Sequence, residues 1–96
     1  MRGRCYVAGR MRGMINLNFE QFLIAASKLR MDGWSVFNPA AANLEGMPLN
    51  KIMAYVLGQL CECDAIAMLP GWWLSGGARI EWLLAKYLKL KIIYLK

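Results

Sequence analysis

Asp64-Ala65-Ile66-Ala67-Met68-Leu69-Pro70-Gly71 is the stretch on which the fold turns. Five apolar residues follow one another without alternation, opened by an aspartate and closed by Pro-Gly. A run this short and this apolar reads as a strand covered on both faces, as in a parallel sheet flanked by helices. Downstream, Trp72 to Gly77 forms a loop. Ile80, Leu83, Leu84, Tyr87 and Leu88 then recur at helical spacing, the core stripe of a helix starting near Gly77 or Ala78. Lys91 to Leu95 is a final strand.

Upstream, Leu49, Ile52, Met53, Val56, Leu57 and Leu60 mark one face of another helix, with Pro48 suited to its first position. Before it stands a short strand, Trp34 to Phe37, closed by Asn38-Pro39, and a loop to about Met47. The chain opens with a strand at Cys5 to Ala8, a Gly-, Arg- and Asn-rich loop from Gly9 to Asn18, and a helix. Asn18 suits the N-cap of that helix, with Gln21 three residues on. Phe19, Phe22, Leu23, Ala26 and Leu29 form its stripe, and Asp32-Gly33 ends it. The order β-α-β-α-β-α-β predicts one α/β domain over residues 1–96, a four-stranded parallel sheet with helices on both faces. In such sheets a ligand lies beyond the carboxyl ends of the strands. The loops Gly9–Asn18, Asn38–Met47 and Pro70–Gly77 are therefore the ones to inspect.

Composition narrows the function. Of 96 residues, 58% are apolar, more than so short a chain is expected to bury alone, which points to a homodimer or larger assembly. Twelve Lys and Arg against six Asp and Glu give a net charge of +6 and favour an anionic partner. The cations are scattered between the two ends of the chain, with no block of five and no binding motif, which argues against nucleic acid. Three cysteines, no CxxC and no histidine argue against both a disulfide framework and a zinc site. No metal or cofactor is expected. The first apolar stretch, Cys5 to Ala8, is far shorter than a secretory leader requires, and none approaches the ~18 residues of a membrane helix. A cytoplasmic protein without a membrane partner is expected.

Two loops carry candidate chemistry. Gly9-Arg10-Met11-Arg12-Gly13 leaves a strand and leads to a helix, where free N–H groups, the helix dipole and two guanidinium groups favour an anion such as phosphate. It is neither a Walker loop nor a GxGxxG fingerprint, and a solvated basic turn is the alternative. Pro70 to Glu81 holds Trp72 and Trp73, either of which could stack on a base or anchor a subunit interface. Gly76 and Gly77 would let a ligand approach the backbone. Glu81 falls in or just beyond the first helical turn, where a glutamate is commonplace because it complements the dipole. Asp64, by topology, lies at the amino end of its strand, away from the expected site.

Four blocks together resemble one family: Tyr6-Val7-Ala8-Gly9-Arg10-Met11-Arg12-Gly13; Asn38-Pro39; Cys63-Asp64-Ala65 through Leu69-Pro70-Gly71-Trp72; and Ser75-Gly76-Gly77-Ala78-Arg79-Ile80-Glu81. In order and spacing they are similar to nucleoside 2-deoxyribosyltransferase-like proteins, in particular a small phage and bacterial branch related to the 2′-deoxynucleoside 5′-monophosphate N-glycosidases. The resemblance implies a small Rossmann- or flavodoxin-like three-layer domain. It implies cleavage of the bond between base and deoxyribose, with Glu81 as nucleophile, Tyr6 orienting it and Asp64 helping to hold sugar or base. Gly9, Arg10, Arg12 and Gly13 match the loop that takes a 5′-phosphate. Asn38, Trp72, Ser75, Gly76 and Gly77 complete the expected substrate contacts. Where the small branch carries an Arg-Asp pair in its second helix, this chain has Tyr55-Val56. A non-catalytic nucleotide-binding or sequestering protein on the same fold is the alternative reading.

Overall fold

The computed structural model describes residues 2–11 and 13–96. The strands are β1 (Arg4–Ala8), β2 (Ser35–Phe37), β3 (Ala65–Met68) and β4 (Lys91–Tyr94). The helices are α1 (Phe19–Met31), α2 (Leu49–Cys61) and α3 (Gly76–Tyr87). All neighbouring strands pair in parallel, in the order β2-β1-β3-β4. The expected α/β class and four-stranded parallel sheet are therefore present. The chain first steps outward from β1 to β2, then crosses back over β1 to β3. The strand order thus reverses between β1 and β3, and the loops after those two strands flank the crevice that such a reversal creates.

Each strand feeds both faces of the sheet. Cys5 and Val7 of β1, with Ala65 and Ala67 of β3, pack against Phe22, Ala25 and Leu29 of α1. Tyr6, Ala8, Ile66 and Met68 point the other way, onto Val56 and Leu60 of α2 and Ala85 of α3. No helix of the described residues is long and apolar enough to cross a membrane.

Several local expectations are corrected. Asn18 does precede α1, but it is left-handed (φ 62°) and its side chain makes no cap bond. Its amide instead donates to the Arg10 carbonyl at 3.0 Å, pinning the preceding loop. Phe19 and Leu23 are exposed, and Ala25 takes a core place beside Phe22, Ala26 and Leu29. Pro48 is the cap of α2 rather than its first residue, and Leu49 is exposed. The largest correction concerns α3. Ile80, Leu83, Tyr87 and Leu88 of the expected core stripe are exposed, Tyr87 at 83%, and only Leu84 is half-buried. The face that meets the core is Ala78, Glu81 and Ala85. Two alanines at that seam let the helix lie close to the sheet, and helical spacing cannot by itself say which of two faces does so.

Candidate active site

The site is built outward from Tyr6, the third residue of β1. Strand alternation turns it to the α2–α3 face, where it is fully buried. Its register partner in β2 is Phe37, and the two rings stack with centroids 5.4 Å apart and planes 21° from parallel. Tyr55 of α2 meets the Phe37 ring edge-on at 6.0 Å. Held by this stack, the Tyr6 hydroxyl donates a hydrogen bond to Oε2 of Glu81.

Glu81 is the sixth residue of α3, one turn beyond the first, which carries no acidic residue. It lies about 7.5 Å along the axis from Gly76 at 1.5 Å per residue. Dipole complementation, the commonplace reason for a glutamate near a helix start, therefore does not explain it. The side chain is 8% exposed, and Tyr6 is its one side-chain hydrogen-bond partner among the described residues. Burial pushes the carboxyl up to about 7, while the Tyr6 hydrogen bond pulls the other way. Burial, the Glu81 charge and the shared hydrogen bond together push the Tyr6 phenol far above its ordinary range. The phenol thus stays protonated and acts as donor, and Glu81 is poised between carboxylate and acid near neutral pH.

Above Glu81 the helix start is open. Ser75 caps it, its Oγ accepting from the Ala78 N–H at 3.2 Å. A Cβ built on Gly76 would meet nothing within 4 Å, and one on Gly77 would meet only Ser75 Oγ at 3.9 Å and Met53 Sδ at 4.0 Å. The glycines leave room at the carboxyl edge of the sheet rather than relieve a clash. In the first loop, Gly9 has a packing duty, since a Cβ there would fall 2.7 Å from Leu69 Cδ1. Gly13 adopts φ 78°, and a Cβ on it would lie 3.3 Å from an Arg10 guanidinium nitrogen, so Arg10 folds over its own loop. Arg12 lies outside the described residues.

The remaining candidates are placed as follows. Asn38 is buried, and its Oδ1 accepts from Ala40 N–H at 3.0 Å, capping a short 3-10 turn after β2. Trp72 stacks on Trp82 of α3 (5.3 Å, 30°), whose indole N–H donates to the Tyr94 hydroxyl at 3.0 Å. Trp73 stands 57% exposed, edge-on to Trp72. Asp64 sits at the amino end of β3, as topology predicts, and its Oδ2 accepts from Arg4 N–H at 2.9 Å. A Cβ on Gly3 (φ 106°) would lie 2.4 Å from that oxygen, so Gly3 is the residue that admits it. The structure therefore brings Tyr6 and Glu81 together and places Asp64 at the start of β1, against the backbone of Arg4. The sequence places Met53 on the stripe of the second helix, Phe37 at the end of the second strand and Tyr55 beside Val56, but nothing in it assigns the three to the site. The three-residue β2 is too short for its alternation to reveal which way Phe37 points.

Among the described residues no three His, Cys, Asp or Glu side chains gather as a metal site. No curated protein matches the chain. Residues 3–94 match the family described as "Domain of unknown function (DUF4406)", and the chain belongs to that family.

Proposed function

We propose that this protein is an N-glycosidase or deoxyribosyltransferase that cleaves the base–deoxyribose bond of a deoxynucleoside monophosphate, with Glu81 as the nucleophile. The observation that carries the reading is the buried Tyr6–Glu81 pair beneath the open start of α3. Burying a carboxyl group with a single hydroxyl partner costs stability, and groups so perturbed cluster where chemistry is done. The first and the last of the four sequence blocks that resemble deoxyribosyltransferase-like proteins contain these two residues.

In this scheme Tyr6 holds Oε2, leaving Oε1 to attack the anomeric carbon. A bond forms from Oε1 to that carbon as the glycosidic C–N bond breaks, its electron pair leaving with the base, which takes a proton from water. Water or a second base then attacks the same carbon and releases Glu81. A carboxylate suits both steps, because it stabilises an oxocarbenium-like transition state and is itself a good leaving group. Arg10 and Arg12, with the N–H groups of their loop, hold the 5′-phosphate. Asp64 acts indirectly, tying down the start of the strand that carries Tyr6. The exposed apolar stripe of Ile80, Leu83 and Tyr87 on α3 supports a homodimer or larger assembly.

A second reading, a nucleotide-binding protein without turnover, draws on the same group: a Glu81 that is protonated near neutral pH is also a hydrogen-bond donor to a bound base. Incubation with the four deoxynucleoside monophosphates, with free base read by chromatography, separates the two. Base released by wild type and not by Glu81→Gln supports the enzyme. A thermal shift on adding one nucleotide, with no base released from any, supports the binder.

A further inference from the structure

Arg4 opens β1 two residues before Tyr6, so strand alternation sends both side chains to the α2–α3 face. Phe37 of β2 meets both. Its ring stacks on Tyr6 at 5.4 Å, and the Arg4 guanidinium carbon stands over it, 5.7 Å from the centroid. Arg4 is itself pinned at both ends. Its Nη2 donates to Oε1 of Gln59 in α2 at 2.8 Å. Its backbone closes on Asp64 twice, the N–H donating to Oδ2 at 2.9 Å and the carbonyl accepting from the Asp64 N–H at 2.7 Å. Tyr55 of α2 meets the edge of Phe37. The Phe37 ring is thus gripped from β1 and from α2, and the Tyr6 ring rests against it.

We infer, given Glu81 as the nucleophile proposed above, that Arg4 and Phe37 are positioning residues: Arg4 locks the Phe37 ring, and Phe37 fixes where the Tyr6 hydroxyl meets Glu81. A phenol ring swings about two torsions, the second with broad wells. Packing has to remove that freedom, because a hydrogen bond weakens steeply as it bends. A flat ring does this better than an aliphatic side chain, since stacked pairs gain from their geometry beyond the area they bury. Arginine over the ring adds a cation–π contact, and its planar fork reaches Gln59 at the same time. With the Tyr6 hydroxyl displaced, Glu81 would lose its one side-chain partner among the described residues, which disfavours the carboxylate. The other neighbours do not replace it. Around Tyr6 stand Ile66 and Met68 of β3, Val56 and Leu60 of α2, and Cys63, whose thiol burial pushes up to about 11. Arg4 is the one charged side chain of β1 and β2. Lys51 of α2, Arg79 and Lys86 of α3 and Lys91 of β4 are exposed.

The test follows the Glu81 carboxyl by carbon-13 NMR titration, with base release measured alongside. Phe37→Leu keeps an apolar side chain and removes the flat face. It is expected to raise the Glu81 midpoint by roughly one pH unit, the scale of a hydrogen bond to a charged group, and to move the rising limb of base release with it. Arg4→Met should move both in the same direction by less, and Phe37→Tyr, which keeps the ring, should leave both in place. On a Tyr6→Phe background, Phe37→Leu should move the midpoint no further, because the bond through which it acts is gone. A midpoint unmoved by Phe37→Leu, moved as far by Phe37→Tyr, or moved equally with and without the Tyr6 hydroxyl overturns the inference. Should Phe37→Leu not fold, a midpoint unmoved by Arg4→Met overturns it instead. Absence of base release from the wild type would remove the N-glycosidase reading alone, since the titration still decides whether Phe37 governs Glu81.

Discussion

The two faces of this sheet are built from alternate residues of the same strands, yet they do different work. The α1 face is apolar throughout: Cys5, Val7, Ala65 and Ala67 against Phe22, Ala25 and Leu29. The α2–α3 face buries Tyr6 and Glu81 among its hydrophobic residues. The difference teaches where polar chemistry is tolerated. A carboxyl group can be held dry only where helices close over it and a fixed donor meets it, and those conditions exist on the doubly covered face. The singly covered face leaves a shallow groove, and the core cluster it buries is apolar.

The sharpest way to break the comparison is at Glu81. Glu81→Gln is expected to lower base release by on the order of 10³-fold or more while leaving nucleotide binding intact; base release at the wild-type rate would remove the catalytic meaning of the doubly covered face. On the opposite face, Phe22→Ala should cost about 3–5 kcal/mol of folding stability, since Phe22 of α1 is fully buried against the sheet. Chemical denaturation would reveal it, and a small loss would mean that α1 is only loosely docked.

The pH dependence of stability distinguishes the faces directly. Glu81 titrates near 7 in the folded protein against 4.5 for an ordinary glutamate. The fold therefore favours the protonated form. The stabilisation that this brings is fully present below pH 4.5 and is lost as pH rises through 7, a change of about 3 kcal/mol. Glu81→Gln should flatten denaturation midpoints across this window. In the proposed mechanism the same group sets the rising limb of activity, because attack needs the carboxylate. Tyr6→Phe removes a bond that favours the charged form, so it should move that limb to higher pH; a limb left in place would mean another group titrates there. Smallest of all, Lys28→Glu with Lys91→Glu should alter stability by only about 0.5 kcal/mol in the same denaturation measurement, as exposed charges do.

Much of this was legible from residue order. The unbroken apolar runs at Cys5–Ala8 and Ala65–Leu69 announced central parallel strands, because a strand covered on both sides has no polar face to show. Gly33, with φ 98°, marked the turn after α1. Tyr6 and Glu81, 75 positions apart, were named through resemblance to known motifs. Periodicity alone would have left Glu81 as a dipole partner, because a difference of one or two residues in the helix start decides that reading. The true packing face of α3 was not legible: Ala78, Glu81 and Ala85 carry less hydrophobicity than the exposed Ile80, Leu83 and Tyr87, so the local pattern pointed the wrong way.

The sequence by itself determined the alternation of strands and helices, the parallel sheet and the loops at its carboxyl edge, because those follow from local periodicity and turn chemistry. Long-range packing set the strand order β2-β1-β3-β4 and the burial of Glu81 against Tyr6. Each of those depends on how close two distant segments can approach, and that is set by the small residues between them, whose contribution is to occupy little space.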